Sequence, residues 1–276
     1  MAFPVIESSN TTADITSTSI TVAMPSGIVA GNLLLVIVAQ DVTGTITQSG
    51  GSDWTKIEQV NDSAAQVSYA LFGKIAVGSD TLTLTSTNSQ DAACVSLRIS
   101  GHSVTSGLTE ITRGTAANPA ANASPDPPNC NPAVAKDYLW IECFAADDDD
   151  DTTNYESANY IKVAQIQSAN STSSCLCAVA YRDLNASAEN PAVRAMALTE
   201  EWIAQTLAIP PAAESQVTQT WNLRHDLLNS VEQVWNLRHD LASAVTQTWN
   251  LRHDLAAQIE RIWSLRHDLS SKIEQV

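Results

Sequence analysis

The sequence predicts an all-β N-terminal domain, an antiparallel β-sandwich of jelly-roll type, followed by a long C-terminal α-helix forming a parallel, trimeric coiled coil. Residues 1–209 are rich in Thr, Ser, Val and Ile, carry turn residues at short intervals and show no long 3.6-residue apolar stripe. Residues 217–276 contain neither Pro nor Gly. Within them Trp221-Asn222-Leu223-Arg224-His225-Asp226-Leu227 recurs at 235–241 and 249–255, and as Trp263-Ser264-Leu265-Arg266-His267-Asp268-Leu269. The period is 14 residues, two heptads, as a coiled coil requires.

Strands are expected at Ser19 to Met24, Asn32 to Gln40, Ala65 to Ile75, Thr81 to Ser86, Ala92 to Ser100, Tyr138 to Ala145, Tyr160 to Gln167, Cys175 to Tyr181 and Trp202 to Ile209. In the third, Ala65, Val67, Tyr69 and Leu71 alternate with Gln66, Ser68 and Ala70, the pattern of one buried and one wet face. Pro25-Ser26-Gly27, Ser49-Gly50-Gly51, Gly78-Ser79-Asp80 and the segment from Thr115 to Ala135 supply turns and a long loop. Trp54, Trp140 and Trp202 are read as core or sheet-edge packing.

The 276 residues carry a formal net charge of −16, unevenly spread. Residues 1–214 hold 8 Lys/Arg against 23 Asp/Glu, whereas 215–276 hold 6 against 7. A surface this acidic repels phosphate backbones and anionic lipid, so neither nucleic acid nor membrane is an expected partner. Met1-Ala2-Phe3-Pro4 shows no basic start to a signal peptide, and the longest apolar stretch, Ile28 to Ala39, is too short to cross a bilayer. The five cysteines match no metal spacing. Cys94, Cys143, Cys175 and Cys177 are expected to be reduced and buried, and Cys130, in a Pro/Asn loop, to be the exposed one.

Several of these elements, Pro25-Ser26-Gly27 with Gly31-Asn32-Leu33-Leu34-Leu35, Trp54-Thr55-Lys56-Ile57, Gly78-Ser79-Asp80-Thr81, Val95-Ser96-Leu97-Arg98-Ile99-Ser100-Gly101, Asp137-Tyr138-Leu139-Trp140 and the strand from Trp202 to Pro210, together resemble β-sandwich modules of tailed-phage virion proteins. The resemblance covers nearly all of residues 1–210 and rests on turn and core positions, which specify a fold rather than an activity. It implies a structural protein of the virion, a head, neck or tail fibre or a capsid decoration, assembled in the host cytoplasm. It carries over no catalytic residue.

Sites of chemistry are sparse. Asp147, Asp148, Asp149, Asp150 and Asp151 form a run that could offer oxygens to calcium, but without interspersed glycine it matches no calcium loop and reads as a solvated acidic loop. His102 has no nucleophile motif around it and reads as a turn histidine. Neither an enzyme nor a cofactor is expected.

A linker at 210–214, with Pro210-Pro211, ends the last strand, and the helix is expected over 215–276. A heptad register puts Val231, Val245, Ile259 and Ile273 at a, with Leu227, Val234, Leu241, Thr248, Leu255, Ile262, Leu269 and Val276 at d. Arg224, Arg238, Arg252 and Arg266 fall at the alternate a positions as polar register layers. Leu223, Leu237, Leu251 and Leu265 at g, with Trp221, Trp235, Trp249 and Trp263 at e, broaden the seam toward three strands. The histidines of the repeat fall at b, on the outside. The partners expected are therefore copies of the chain and other capsid, neck or tail proteins. The rival function is a glycan-binding adhesin, trimerised by its stalk and directed at a host-surface glycan.

Overall fold

The computed structural model describes residues 2–147, 156–168, 174–196, 198–213, 261–264 and 266–267. The chain divides into two units, Met1–Ala213 and Glu214–Val276. The described residues of the first form eleven strands: β1 Val5–Val22, β2 Leu33–Asp41, β3 Ile46–Gly50, β4 Thr55–Asn61, β5 Val67–Ile75, β6 Leu82–Ser100, β7 Thr112–Arg113, β8 Lys136–Ala146, β9 Ile161–Gln167, β10 Leu176–Ala186 and β11 Trp202–Ile209.

Two antiparallel sheets face each other. One has the order β1-β6-β2-β5-β4 with β3 on β6, the other β7-β11-β8-β10-β9. Odd-numbered side chains of β2, β5, β6, β8, β10 and β11, among them Leu35, Ile37, Leu71, Val95, Ile141 and Leu207, fill the space between them. Each fully buried aliphatic side chain of this kind contributes about 1.5–3 kcal/mol through removal from water. Cys175 Sγ lies 3.5 Å from both the Ala39 and the Asp91 carbonyls, which share its one proton and tie the second sheet to the first. One polar thread also crosses the core: Tyr69 Oη donates to Gln205 Oε1 at 3.0 Å, and Gln205 Nε2 donates to Glu58, which also pairs with Arg113.

The first sheet is more than one wall of a sandwich. All of β2 is buried, and so is β5 up to Lys74, so the expected alternation of wet and dry residues in β5 is corrected: Ser68 and Ala70 are as buried as Tyr69. Ala65 stands outside the strand, in a turn with φ 64. The far face is covered because β1 and β6 pair along nearly their whole lengths and bend together. Register shifts between Asp14, Ser17 and Ser19 mark the bulged corner. Beyond it Ile20, Val22, Leu82 and Leu84 fold back over Leu34, Val36, Val38 and Phe72. β3 pairs with the returning half of β6, and β4 reaches β3 through side chains. Lys56 Nζ donates to the Ile46 carbonyl at 3.0 Å, and Gln59 Oε1 accepts from the Ile46 amide at 3.1 Å. The sheet is thus curled almost into a barrel, with Trp54 closing it as its indole donates to the Thr81 carbonyl at 2.9 Å.

The segments Thr81 to Ser86 and Ala92 to Ser100 are one bent strand, not two. The first half of β1, with β3, β4 and β7, lies where no strand is expected from the sequence, because segments such as Ser8-Ser9-Asn10-Thr11-Thr12 carry no alternating apolar pattern. Cys130 is buried rather than exposed, its thiol directed at the Thr112 carbonyl at 3.5 Å, and all five cysteines are free and buried.

The expectation of one unbroken C-terminal helix is overturned. Among the described residues helix occurs only at 261–264 and 266–267, leaving no long helix on which a trimeric coiled coil could rest. Of the seam positions, Ile262, Trp263 and Arg266 fall in these short helical stretches, and Ile262 and Trp263 are exposed. Trp221, Leu223, Arg224, Leu227, Val231, Val234, Trp235, Leu237, Arg238, Leu241, Val245, Trp249, Leu251, Arg252, Leu255, Ile259, Leu265, Leu269 and Ile273 lie outside the described residues. The heptad count could not reveal this outcome, since periodicity states which face a helix would bury but not that a helix forms.

Candidate functional site

Strand polarity gathers carboxylates at one end of the sandwich. β2 ends at Asp41, β4 is followed by Asp62, β8 runs into Asp147, and Glu200 and Glu201 precede β11. The pairing Trp202↔Ala146 brings the last two groups together, and the Asp147 amide donates to the Glu201 carbonyl at 3.0 Å. Ligand oxygens of Asp147, Glu200 and Glu201 all lie within 4.8 Å of one another. Burial, then the charges of Asp41, Glu200, Glu201 and Asp62, push the Asp147 carboxyl up to about 7. Asp41 is also raised, by burial first and then by Asp91, against the opposing Val42 amide. Asp62 serves its turn, accepting from the Ala64, Gln66 and Val67 amides at 3.0, 2.7 and 3.0 Å.

Three such carboxylates can do two things chemically: hold a proton, which the raised Asp147 favours, or supply oxygens to a hard cation. Of the acidic run at 147–151, only Asp147 belongs to the described residues, and it lies with Glu200 and Glu201. Asp148, Asp149, Asp150 and Asp151 lie outside them. Glu200 and Glu201 carried no signal in the sequence, because nothing there shows that β8 and β11 are paired.

The outer face of the second sheet carries a buried ion pair that the sequence also did not disclose. Glu142 sits mid-strand between Trp140 and Phe144, and Arg194 Nη2 contacts its Oε2. Arg194 also lies 5.4 Å from the Phe144 ring centroid and donates from Nε to Ser157 Oγ at 3.3 Å. The Ser157 amide donates to Glu142 Oε2 at 3.2 Å, and the Arg194 amide donates to the Pro125 carbonyl at 2.8 Å. Two loops and the segment around Ser157 are therefore pinned to the sheet through one carboxylate. The pair positions backbone and offers no open face to a substrate.

An open cleft of about 350 Å³ lies beside it, lined by Asn118, Pro119, Asn122, Ser124, Asp126 and Trp202. Trp202 is only 2% exposed and donates its indole N–H to Asn122 Oδ1 at 3.3 Å, so its ring is packing and not a platform for stacking. Trp54 and Trp140 are buried as well, as core tryptophans should be. Comparison with protein-family models, with curated proteins and with solved structures found no match to the chain.

Proposed function

We propose that this chain is a structural component of a tailed-bacteriophage particle, a fibre or decoration protein of head, neck or tail, whose β-sandwich is a rigid acidic block docked on other virion proteins. The observation that carries the reading is the use to which the residues of the resemblance are put. Gly27 and Gly31 take positive φ in the turn before β2, where other residues would be strained. Asp80 accepts from the Val77 and Gly78 amides and pairs with the buried Lys74 at 2.8 Å. Trp140 and Trp202 are buried within β8 and β11. These residues shape turns and cores, the currency of a module selected for its form.

The distribution of reactive groups favours the same reading. Burial raises Cys130 to about 11 and Cys143 and Cys175 to about 12, which leaves their thiols protonated and poor nucleophiles. The buried Glu142 and Arg194 contact each other and both hydrogen-bond Ser157. Gradient-purified particles from the lysate in which the chain is made, digested and analysed by mass spectrometry, are expected to contain it in fixed ratio to the major capsid protein and to retain it after a high-salt wash. Recovery only in the soluble fraction would refute the proposal.

A further inference from the structure

His102 is the only histidine in residues 1–213, and it stands just beyond β6. Its half-buried ring is fixed on both sides. Nδ1 lies 3.1 Å from the Val104 amide, and because an amide can only donate, Nδ1 is the acceptor and bears no proton. The ring proton is therefore on Nε2, which donates to the Gly31 carbonyl at 3.1 Å. Gly31, at φ 89, and Gly101, at φ 70, supply the left-handed backbone that lets both turns approach the imidazole. A second proton would sit on Nδ1 and face the Val104 N–H, replacing a hydrogen bond with an opposition of two donors.

The turn held in this way holds the exit of the chain. The Ser103 amide donates to the Pro210 carbonyl at 3.1 Å, the Ala212 amide donates to the Gly101 carbonyl at 2.7 Å, and His102 and Pro211 form an isolated antiparallel bridge. Charged groups on the surrounding elements are engaged elsewhere. Arg98 of β6 pairs with Glu7 of β1 at 4.0 Å, Lys74 of β5 pairs with Asp80 at 2.8 Å, and Glu110 accepts from the Thr105 hydroxyl at 2.7 Å. The segments 25–31 and 209–213 contain no charged residue. Burial accordingly pulls the imidazole below its usual basicity, against the hydrogen bond that Nε2 gives to the Gly31 carbonyl.

We propose that His102 is a proton-operated latch on the segment by which the chain leaves the sandwich: neutral, it ties Gly31 to Val104 and keeps Pro210–Ala212 strapped to Gly101–Ser103; protonated, it releases the Val104 amide and loosens the strap. The test is amide hydrogen exchange of the full chain at about pH 7.5 and about pH 5, corrected for the intrinsic pH dependence and read at Ser103, Val104 and Ala212. Protection at these amides is expected to fall at least about tenfold at the lower pH while the amides of β2 keep theirs. His102→Asn places an uncharged acceptor near the position of Nδ1, and its protection should not change with pH. Unchanged protection in the wild type, or an equal fall in the variant, overturns the latch. Imidazole NMR gives an independent reading: the Nε2–H tautomer at neutral pH supports it, and an Nδ1–H tautomer overturns it.

Discussion

Replacing Asp147 by Asn removes the most strained charge of the acidic end while keeping its shape. The carboxyl is raised from 3.8 to about 7, so the folded state holds a proton that the unfolded chain releases across that range. Because the folded value lies above the unfolded one, the contribution of Asp147 to stability is complete below the unfolded value and is lost as the pH rises through about 7. At about 1.36 kcal/mol per pH unit the full difference would be about 4 kcal/mol. The carboxyl is only half-buried, and solvent screening reduces this to about 1–2 kcal/mol. For a domain of this size that corresponds to a rise in Tm of about 3–6 °C. Thermal unfolding followed by circular dichroism is expected to show Asp147→Asn more stable than wild type at about pH 8, with the gain shrinking toward zero as the pH approaches 4. A gain of equal size at both ends, or a loss at the higher pH, would refute the electrostatic account.

Glu142→Ala leaves the buried Arg194 guanidinium without a countercharge and should cost about 3–5 kcal/mol, whereas Glu142→Leu with Arg194→Met should recover most of that loss in urea unfolding. Tyr69→Phe deprives the buried Gln205 Oε1 of its donor and should cost about 1–3 kcal/mol by the same measurement. A thiol reagent at mildly alkaline pH should label no cysteine of the folded protein and all five once it is denatured, with the label counted by mass; rapid labelling of native Cys130 would contradict its burial. Trp54→Phe should open the curled sheet enough to shorten the exchange protection of Leu84 and Thr85 relative to Ile141, because the indole hydrogen bond to Thr81 is lost.

The contrast between β10 and β1 illustrates how far local pattern reaches. Cys175 to Tyr181 is apolar at nearly every position and bounded by polar residues, so the strand was legible wherever it packed. Glu7 to Thr18 is polar at every position but Ala13 and Ile15, and it becomes a strand only because β6 offers it a ladder. The bend shared by β1 and β6 was invisible for the same reason: a bulge depends on which partner a strand faces. At the acidic end, Asp147 drew notice through its run of neighbours, although the groups that perturb it lie on β2, on the turn after β4 and before β11. In the sequence His102 reads as a turn histidine, and it does sit in a turn, but its tautomer depends on Gly31 and Val104.

By itself the sequence determined that residues 1–209 are β, that their tryptophans and most of their cysteines lie inside, and that the charge of this part is strongly negative, since each follows from composition and spacing alone. Tertiary structure decided the near-barrel, the buried Glu142–Arg194 pair, the convergence of Asp147 with Glu200 and Glu201, and the lock on His102. Each of these is a meeting of residues far apart in the chain, and strand pairing, which brings them together, is set by the burial of whole faces. A repeat as regular as Trp-Asn-Leu-Arg-His-Asp-Leu invited the opposite inference, from local period to global form, and among the described residues no long helix follows. Helical periodicity is a condition on the face a helix would present, and the free energy that makes the helix comes from what that face is packed against.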